Sequence, residues 1–376
     1  MMRLQDVCEL IVDCPHSTAK DEGIGYPLIR TPNIGKGRLI LDGVHRVSEE
    51  VYHKRNQRAV PQDGDLIFAR EAPAGNVAII KNGEKVCLGQ RTVLLRPNKD
   101  LVNPDFLAYF LLAPEQQYGL LGTANGATVA HVNIPTIREL KISVPSLDVQ
   151  NKIAAIITAY DDLIENNQKQ IKLLEEAAQR LYKEWFLDLR FPGHKTTPIT
   201  DGIPEGWQLL LLEQVAPILT GKKDANFSTE DGQYPFFTCA QAPLQAPSSS
   251  FDCDAVILAG NGDFNVKLYR GQFEAYQRTY VLSPENKELL FLLYHAVNNS
   301  MAKLAQGASG STIKFLTKGM IASIPVYVPD EWMLNKFNEL SEAIQKQIEV
   351  FQNTIAHATE ARDRLLPKLM NREIEV

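Results

Sequence analysis

Gln90-Arg91-Thr92-Val93-Leu94-Leu95-Arg96-Pro97 and Gln277-Arg278-Thr279-Tyr280-Val281-Leu282-Ser283-Pro284 are two versions of one phrase, 187 residues apart. Upstream, Leu66-Ile67-Phe68-Ala69 matches Val256-Ile257-Leu258-Ala259 at an offset of 190. Downstream, Asn125-Gly126-Ala127-Thr128-Val129 matches Ser309-Gly310-Ser311-Thr312-Ile313 at 184. That offset then holds without a gap through Val144-Pro145 and Val328-Pro329 to Asn151-Lys152 and Asn335-Lys336. An offset that drifts and then locks describes two copies of one unit, with loop-length changes early and rigid structure late.

Texture switches inside each copy. Residues 1–145 and 205–329 are short β-like runs separated by Gly, Pro, Asn and Asp, each with one expected helix, near 105–112 and 288–296. Residues 147–190 and 331–370 lack glycine and read as long helices, with Asp148 and Asp330 as expected N-caps and Phe191-Pro192-Gly193 as the expected stop of the first. Steps of four and three along the first helix land on Ile153, Ile157, Tyr160, Ile164, Asn167, Ile171, Leu174, Ala178, Leu181 and Trp185. The equivalent stripe in the second is Phe337, Ser341, Ile344, Ile348, Phe351, Ile355, Ala358, Arg362, Leu365 and Leu369. Both have the 3.5-residue period of a coiled-coil seam. Asn167 either fixes the register of that seam or marks a solvated end of it.

Two stripes in one register, each closing a repeat, are expected to face each other about a pseudo-twofold axis, which makes the helices antiparallel. The expected fold class is α+β: two similar globular domains separated by two long antiparallel helices in a coiled coil. The boundaries are a first domain at 1–145, a central helix at 146–190, a linker at 191–206, a second domain at 207–329 and a C-terminal helix at 330–376.

With 376 residues, 44% of them hydrophobic and 22% charged, the chain has the composition of folded domains and excludes disorder as the main state. No apolar run approaches the ~20 residues that cross a bilayer, and the five cysteines (Cys8, Cys14, Cys87, Cys239, Cys253) form no CxxC pair, so a reducing cytoplasm is expected. The net charge of -6 is unevenly spread: residues 1–145 hold 17 basic and 16 acidic side chains, residues 196–329 hold 9 and 12. This balance disfavours non-specific polyanion binding, while specific DNA contact through local patches stays open.

Catalytic patterns are missing. There is no GxxxxGK[ST] loop, no GxGxxG opening a helix, no Asn-Pro-Pro-aromatic tetrad, and the seven histidines show neither HxxxH nor HExxH spacing, so no catalytic residue, metal or cofactor is expected in this chain. Asp65, Glu71 and Lys81 form a nuclease-like triplet without matching acids in the second copy. Gly260-Asn261-Gly262-Asp263 suits a hairpin turn or a phosphate cradle.

The remaining polar residues at turns and strand ends are recognition hardware. They are Arg30, Arg70, Gln90, Arg91, Asn125 and Thr128 in the first copy, and Asn261, Lys267, Gln277, Arg278, Ser309, Thr312 and Lys314 in the second. Arginine suits guanine edges, Asn and Gln suit adenine, and Ser or Thr suit phosphates. The repeated Gln-Arg-Thr serves either the scaffold or phosphate contact, whereas Arg70 against Gly260, a position that differs between copies, is the better candidate for reading a base. A helical-hairpin adaptor joining two proteins without DNA is the competing class.

The whole organisation resembles the specificity subunits of type I restriction–modification systems. The most telling stretch is QNKIAAIITAYDDLIENNQKQIKLLEEAAQRLYKEWFLDLRFPG at 150–193, together with Ile203-Pro204-Glu205-Gly206-Trp207. The first copy lacks that second phrase and opens at Leu4-Gln5-Asp6-Val7, against Leu212-Glu213-Gln214-Val215. The resemblance implies two target-recognition domains, each reading half of a split site on double-stranded DNA. It also implies helices that dock two methyltransferase subunits, with restriction subunits in the full complex. S-adenosylmethionine, ATP and Mg are then expected on those partners rather than on this chain.

Overall fold

The computed structural model describes the chain apart from Asn82, residues 123–130, Asp263 and residues 309–313. It divides into two compact units, one joining Met1–Gln168 with Asn353–Val376 and the other comprising Lys169–Gln352.

In the first unit, β1 (Cys8–Asp13), β2 (Leu66–Ala69), β3 (Val77–Ile79) and β4 (Thr92–Pro97) form an antiparallel sheet in the order β1-β4-β2-β3. The unbroken apolar run of β2 is buried on both faces, as a strand between two cores must be. Leu66 and Phe68 join Val93 and Leu95 on one side, while Ile67 and Ala69 join Ala78 and Leu94 on the other. The first core is closed by the helix Pro104–Leu112, which starts where the Asn103 side chain accepts the Phe106 N–H at 2.9 Å and Pro104 occupies the first turn. A smaller sheet sets Tyr26–Ile29 between Arg46–Val47 and the parallel strand Cys87–Leu88.

In the second unit, β5 (Ile218–Thr220), β6 (Phe251–Ala259), β7 (Val266–Ala275) and β8 (Thr279–Leu282) run in the order β5-β8-β6-β7, continued by Tyr234–Phe237 and Leu244–Ala246. Val256 and Leu258 face one core and Ala255 and Ile257 the other. The helix expected near 288–296 is longer than its sequence signal: a 3-10 turn at Lys287–Leu289 leads into Leu290–Gly307.

Strand register tests the repeat independently of sequence similarity. Leu66 pairs with Leu95 and Ala69 with Thr92, while their counterparts pair Val256 with Leu282 and Ala259 with Thr279. The edge strand repeats too: Ile11 pairs with Leu95 and Ile218 with Leu282. The parallel pairs Leu28–Cys87 and Phe236–Glu274 correspond, and so do the hydrogen bonds from Leu4 N–H to Leu140 O and from Leu212 N–H to Ile324 O, both 2.8 Å. Two sequences this different keep one hydrogen-bond ladder because a one-residue slip would move every buried strand residue to the opposite face, into the wrong core.

The long helices are α1 (Leu147–Tyr182) and α2 (Glu331–Met370). Asp330 caps α2 as expected, its Oδ1 accepting the Met333 N–H at 2.9 Å. Asp148 does not cap α1: it lies inside the first turn, 3.1 Å from Lys152 Nζ. Nor does α1 persist to Phe191, for it gives way to a π-helical turn at Lys183–Leu187 that buries Phe186 completely.

Every stripe position named above is buried or half-buried, including Ile164, Ile171, Leu174, Leu181, Ile344, Phe351, Ile355 and Leu365. In the first unit Ile153 and Ile157 of α1 share a core with Leu369 of α2. In the second, Phe337 near the start of α2 packs on Phe186, just past the end of α1, with ring centroids 4.9 Å apart. Start meets end in both units, so the helices are antiparallel. The contact is wider than a strict seam, since Gln150, Ala154, Asp161 and Tyr182 beside the stripe are buried as well. The helices pack on the globular cores as well as on each other, which calls for a broader face than a coiled-coil seam. Asn167 is buried, and its Nδ2 donates to Leu163 O of its own helix at 2.7 Å.

Candidate nucleic-acid interface

The Gln-Arg-Thr phrase forms the turn that enters the central strand, β4 in the first unit and β8 in the second. In the first unit Gly89 N–H donates to Ile29 O at 2.7 Å, and a Cβ at position 89 would lie 2.8 Å from Arg30 Cγ. Glycine thereby lets Arg30 sit against the turn. Thr92 is buried with its Oγ1 donating to Gly89 O at 3.0 Å, and Arg91 between them takes a left-handed φ of 65°. Gln90 Nε2 donates to His16 O at 2.9 Å and its Oε1 accepts from Thr18 at 3.1 Å. The threonine is thus scaffold, and the turn throws the arginine outward.

Beside this turn runs a chain of charged groups. Arg70 Nε donates to Val132 O at 3.0 Å, Nη1 reaches Asp13 Oδ1 at 3.2 Å, and Nη2 lies 2.8 Å from His131 Nε2. A guanidinium can only donate, so Nε2 of His131 accepts and its Nδ1 carries the proton to Glu71 Oε1, 2.5 Å away. Glu71 Oε2 in turn holds Arg91 Nε at 2.9 Å. The two arginines differ in access: the Arg70 side chain is 11% exposed and that of Arg91 is 60% exposed. The structure therefore pins Arg70, the residue that differs between copies, and presents Arg91, which both copies share.

The second unit repeats the corner with other side chains. Gly260 N–H donates to Arg278 O at 2.8 Å, as Arg70 N–H does to Arg91 O at 2.9 Å. Leu316 N–H donates to Gly260 O, as Val132 N–H does to Arg70 O. Glycine is required at 260 because a Cβ there would lie 2.3 Å from Arg278 O and 2.8 Å from the Tyr280 ring, where the first unit has the smaller Val93. Gln277 is exposed and donates to Asp224 Oδ1 at 2.6 Å. Arg278 and Lys314 are exposed, and Asn261 bridges Phe315 through the backbone. Lys267 stands apart on β7, its Nζ donating to Ala240 O at 2.9 Å and to Asn265. Asn125, Thr128, Ser309 and Thr312 lie outside the described residues.

Sequence reasoning passed over Asp13, Glu71 and His131 as members of this corner. His131 lies two residues past the repeated phrase, and a lone histidine without metal spacing carries no signal. The triplet Asp65, Glu71 and Lys81 does not assemble. Asp65 binds Arg96 at 2.7 Å, Lys81 binds Asp105 at 2.6 Å, and Glu71 serves the corner. Among the described residues no three His, Cys, Asp or Glu side chains are placed to hold a metal ion, and no helix is long and apolar enough to cross a membrane.

Against known families, residues 1–176 and 204–361 match the type I restriction modification DNA specificity domain. The chain belongs to this family. The two matched segments correspond to the two copies and leave out the end of α1 and the linker. Among proteins carrying the specificity domain, the chain is 38% identical over 170 residues to the type I restriction enzyme EcoDI specificity subunit of Escherichia coli, which covers 45% of this chain and 36% of that protein. It is 25% identical over 368 residues to the MjaIX specificity subunit of Methanocaldococcus jannaschii, covering 90% of this chain and 83% of that one. A crystal structure of an S subunit from M. genitalium shares the specificity-domain fold over 98% of this chain and 95% of its own, with a TM-score of 0.59 at 15% identity.

Proposed function

We propose that this chain is the DNA-reading subunit of a type I restriction–modification complex, with each unit reading one half of a bipartite site on double-stranded DNA. The observation that carries the reading is the duplicated corner: one backbone ladder, kept in register, presents Arg91 in one unit and Arg278 in the other, among neighbours that differ. A shared arginine suits the phosphate that every site has, and the differing neighbours suit different bases. α1 and α2 set the separation of the half-sites and dock two methyltransferase subunits, with restriction subunits completing the assembly in the cytoplasm. Catalysis, with its S-adenosylmethionine, ATP and Mg, belongs to those partners, and this chain contributes none. With a net charge of -6 it binds DNA weakly by itself and tightly inside the complex.

The test is methylome sequencing of a host that carries this chain with its modification partner, alongside a chimera whose residues 1–145 come from another specificity subunit. The expected result is a bipartite methylated site of which the chimera rewrites one half. A chimera that rewrites both halves, or a purified complex that protects no DNA in footprinting, would overturn the proposal and favour a protein–protein adaptor.

A further inference from the structure

The two seams share a register but not a polarity. In the first unit the carboxylate of Asp161 on α1 is almost fully buried and doubly held: Oδ1 accepts from Arg362 Nη1 of α2 at 2.8 Å, and Oδ2 accepts from Tyr109 Oη at 2.6 Å. Gly37, at φ 87°, presses against both Tyr109 and Asp161, where a Cβ would come within 3.2 Å and 3.3 Å of them. Burial, with the carboxylate beside it, pushes the Tyr109 phenol well above its ordinary pKa, so it remains a donor. At the repeat offset of 184, the counterpart of Asp161 is Gln345 and that of Arg362 is Ala178. These two line one cavity of about 610 Å³ in the second unit, and neither carries a charge.

This asymmetry has a consequence for self-association. Because the stripes of α1 and α2 are equivalent, α1 of one chain is also shaped to pair antiparallel with α1 of a second chain. In that pairing Asp161 faces Ala178 of the other copy and loses its arginine while staying buried. Such a carboxylate is strongly unfavourable. We propose that the Asp161–Arg362–Tyr109 cluster is a pairing lock, which selects α1 against α2 of the same chain and rejects a second copy of the chain at the α1 face.

The test removes the asymmetry from the full-length chain. D161Q/R362A gives the first unit the uncharged pair of the second, and R362A/A178R moves the arginine onto α1, where only an α1–α1 pairing brings it to Asp161. Wild type is expected as one 42.0 kDa species in sedimentation. Both variants are expected to raise the dimer fraction at about 10 µM at least about tenfold. In mixtures of isotope-labelled and unlabelled chains, their dimers should yield cross-links from Lys169 of one copy to Lys169 of another. Circular dichroism checks that the helices persist, and if D161Q/R362A does not fold, R362A/A178R decides. Folded variants that stay monomeric, or dimers without that cross-link, overturn the lock.

Discussion

Phe337→Ala tests whether the second unit is an independently stabilised body whose core includes the ends of both long helices. Phe337 is fully buried, and its ring lies 4.9 Å from that of Phe186, 5.8 Å from His295, 6.1 Å from Trp185 and 6.4 Å from Tyr182. Four neighbours anchored on three different elements cannot all collapse into the space the ring leaves. The expected cost is about 3–5 kcal/mol, the range for Phe→Ala in tight cores. Against a domain stability of roughly 5–15 kcal/mol, that is a large share of what holds the unit together. For a body of this size each kcal/mol moves the midpoint by about 2–4 °C, so the drop should be roughly 6–20 °C. Scanning calorimetry combined with hydrogen exchange reads it: protection should fall across β6, β7 and β8 while β1, β2 and β4 in the first unit keep theirs. In the assembled complex, methylation should be lost at physiological temperature and return on cooling. A cost below about 1 kcal/mol, or equal loss of protection in both units, would refute the reasoning.

Burial lowers the pKa of His295 from 6.5 to about 4, so below pH 6.5 the unfolded chain takes up a proton that the native state refuses. Stability of the second unit should be full above about pH 6.5 and fall towards pH 4 by up to about 3 kcal/mol, and His295→Gln should flatten that slope in urea titrations. Arg91→Ala should weaken DNA binding by the complex at every sequence and lower the salt slope by about one, whereas Arg70→Ala should destabilise the first unit by about 1–3 kcal/mol through the stranded Asp13 and Val132 carbonyl. Binding isotherms at several salt concentrations, paired with melts, separate the two, and an Arg70→Ala chain with unchanged stability and altered site letters contradicts the pinned role. Inserting one heptad after Asn167 and another after Phe351 lengthens both helices by ~10 Å where they pass from one unit to the other, keeping the stripes in phase. Methylome sequencing should then show unchanged half-site letters and a spacer longer by about three base pairs, and an active variant with the old spacer would show that these helices are not the ruler.

Period and repetition were legible without coordinates. The matched phrases at 90–97 and 277–284 foretold two strands with one set of partners, and the 3.5-residue stripes foretold the buried faces of α1 and α2. These are local signals: a strand between two cores must be apolar along its length, and a packed helix must repeat its apolar residues each turn. The roles of single polar residues were not legible, because they depend on what tertiary folding brings alongside. Arg70 and Arg91 look alike in the sequence, and only the arrival of Asp13, Val132 and His131 buries one and leaves the other exposed. Arg362 reads as an interruption of a stripe until Asp161 and Tyr109, 201 and 253 residues away along the chain, converge on it. Hydrophobic burial follows a pattern written in neighbouring residues, whereas a buried charge is settled by one partner that can come from anywhere in the chain.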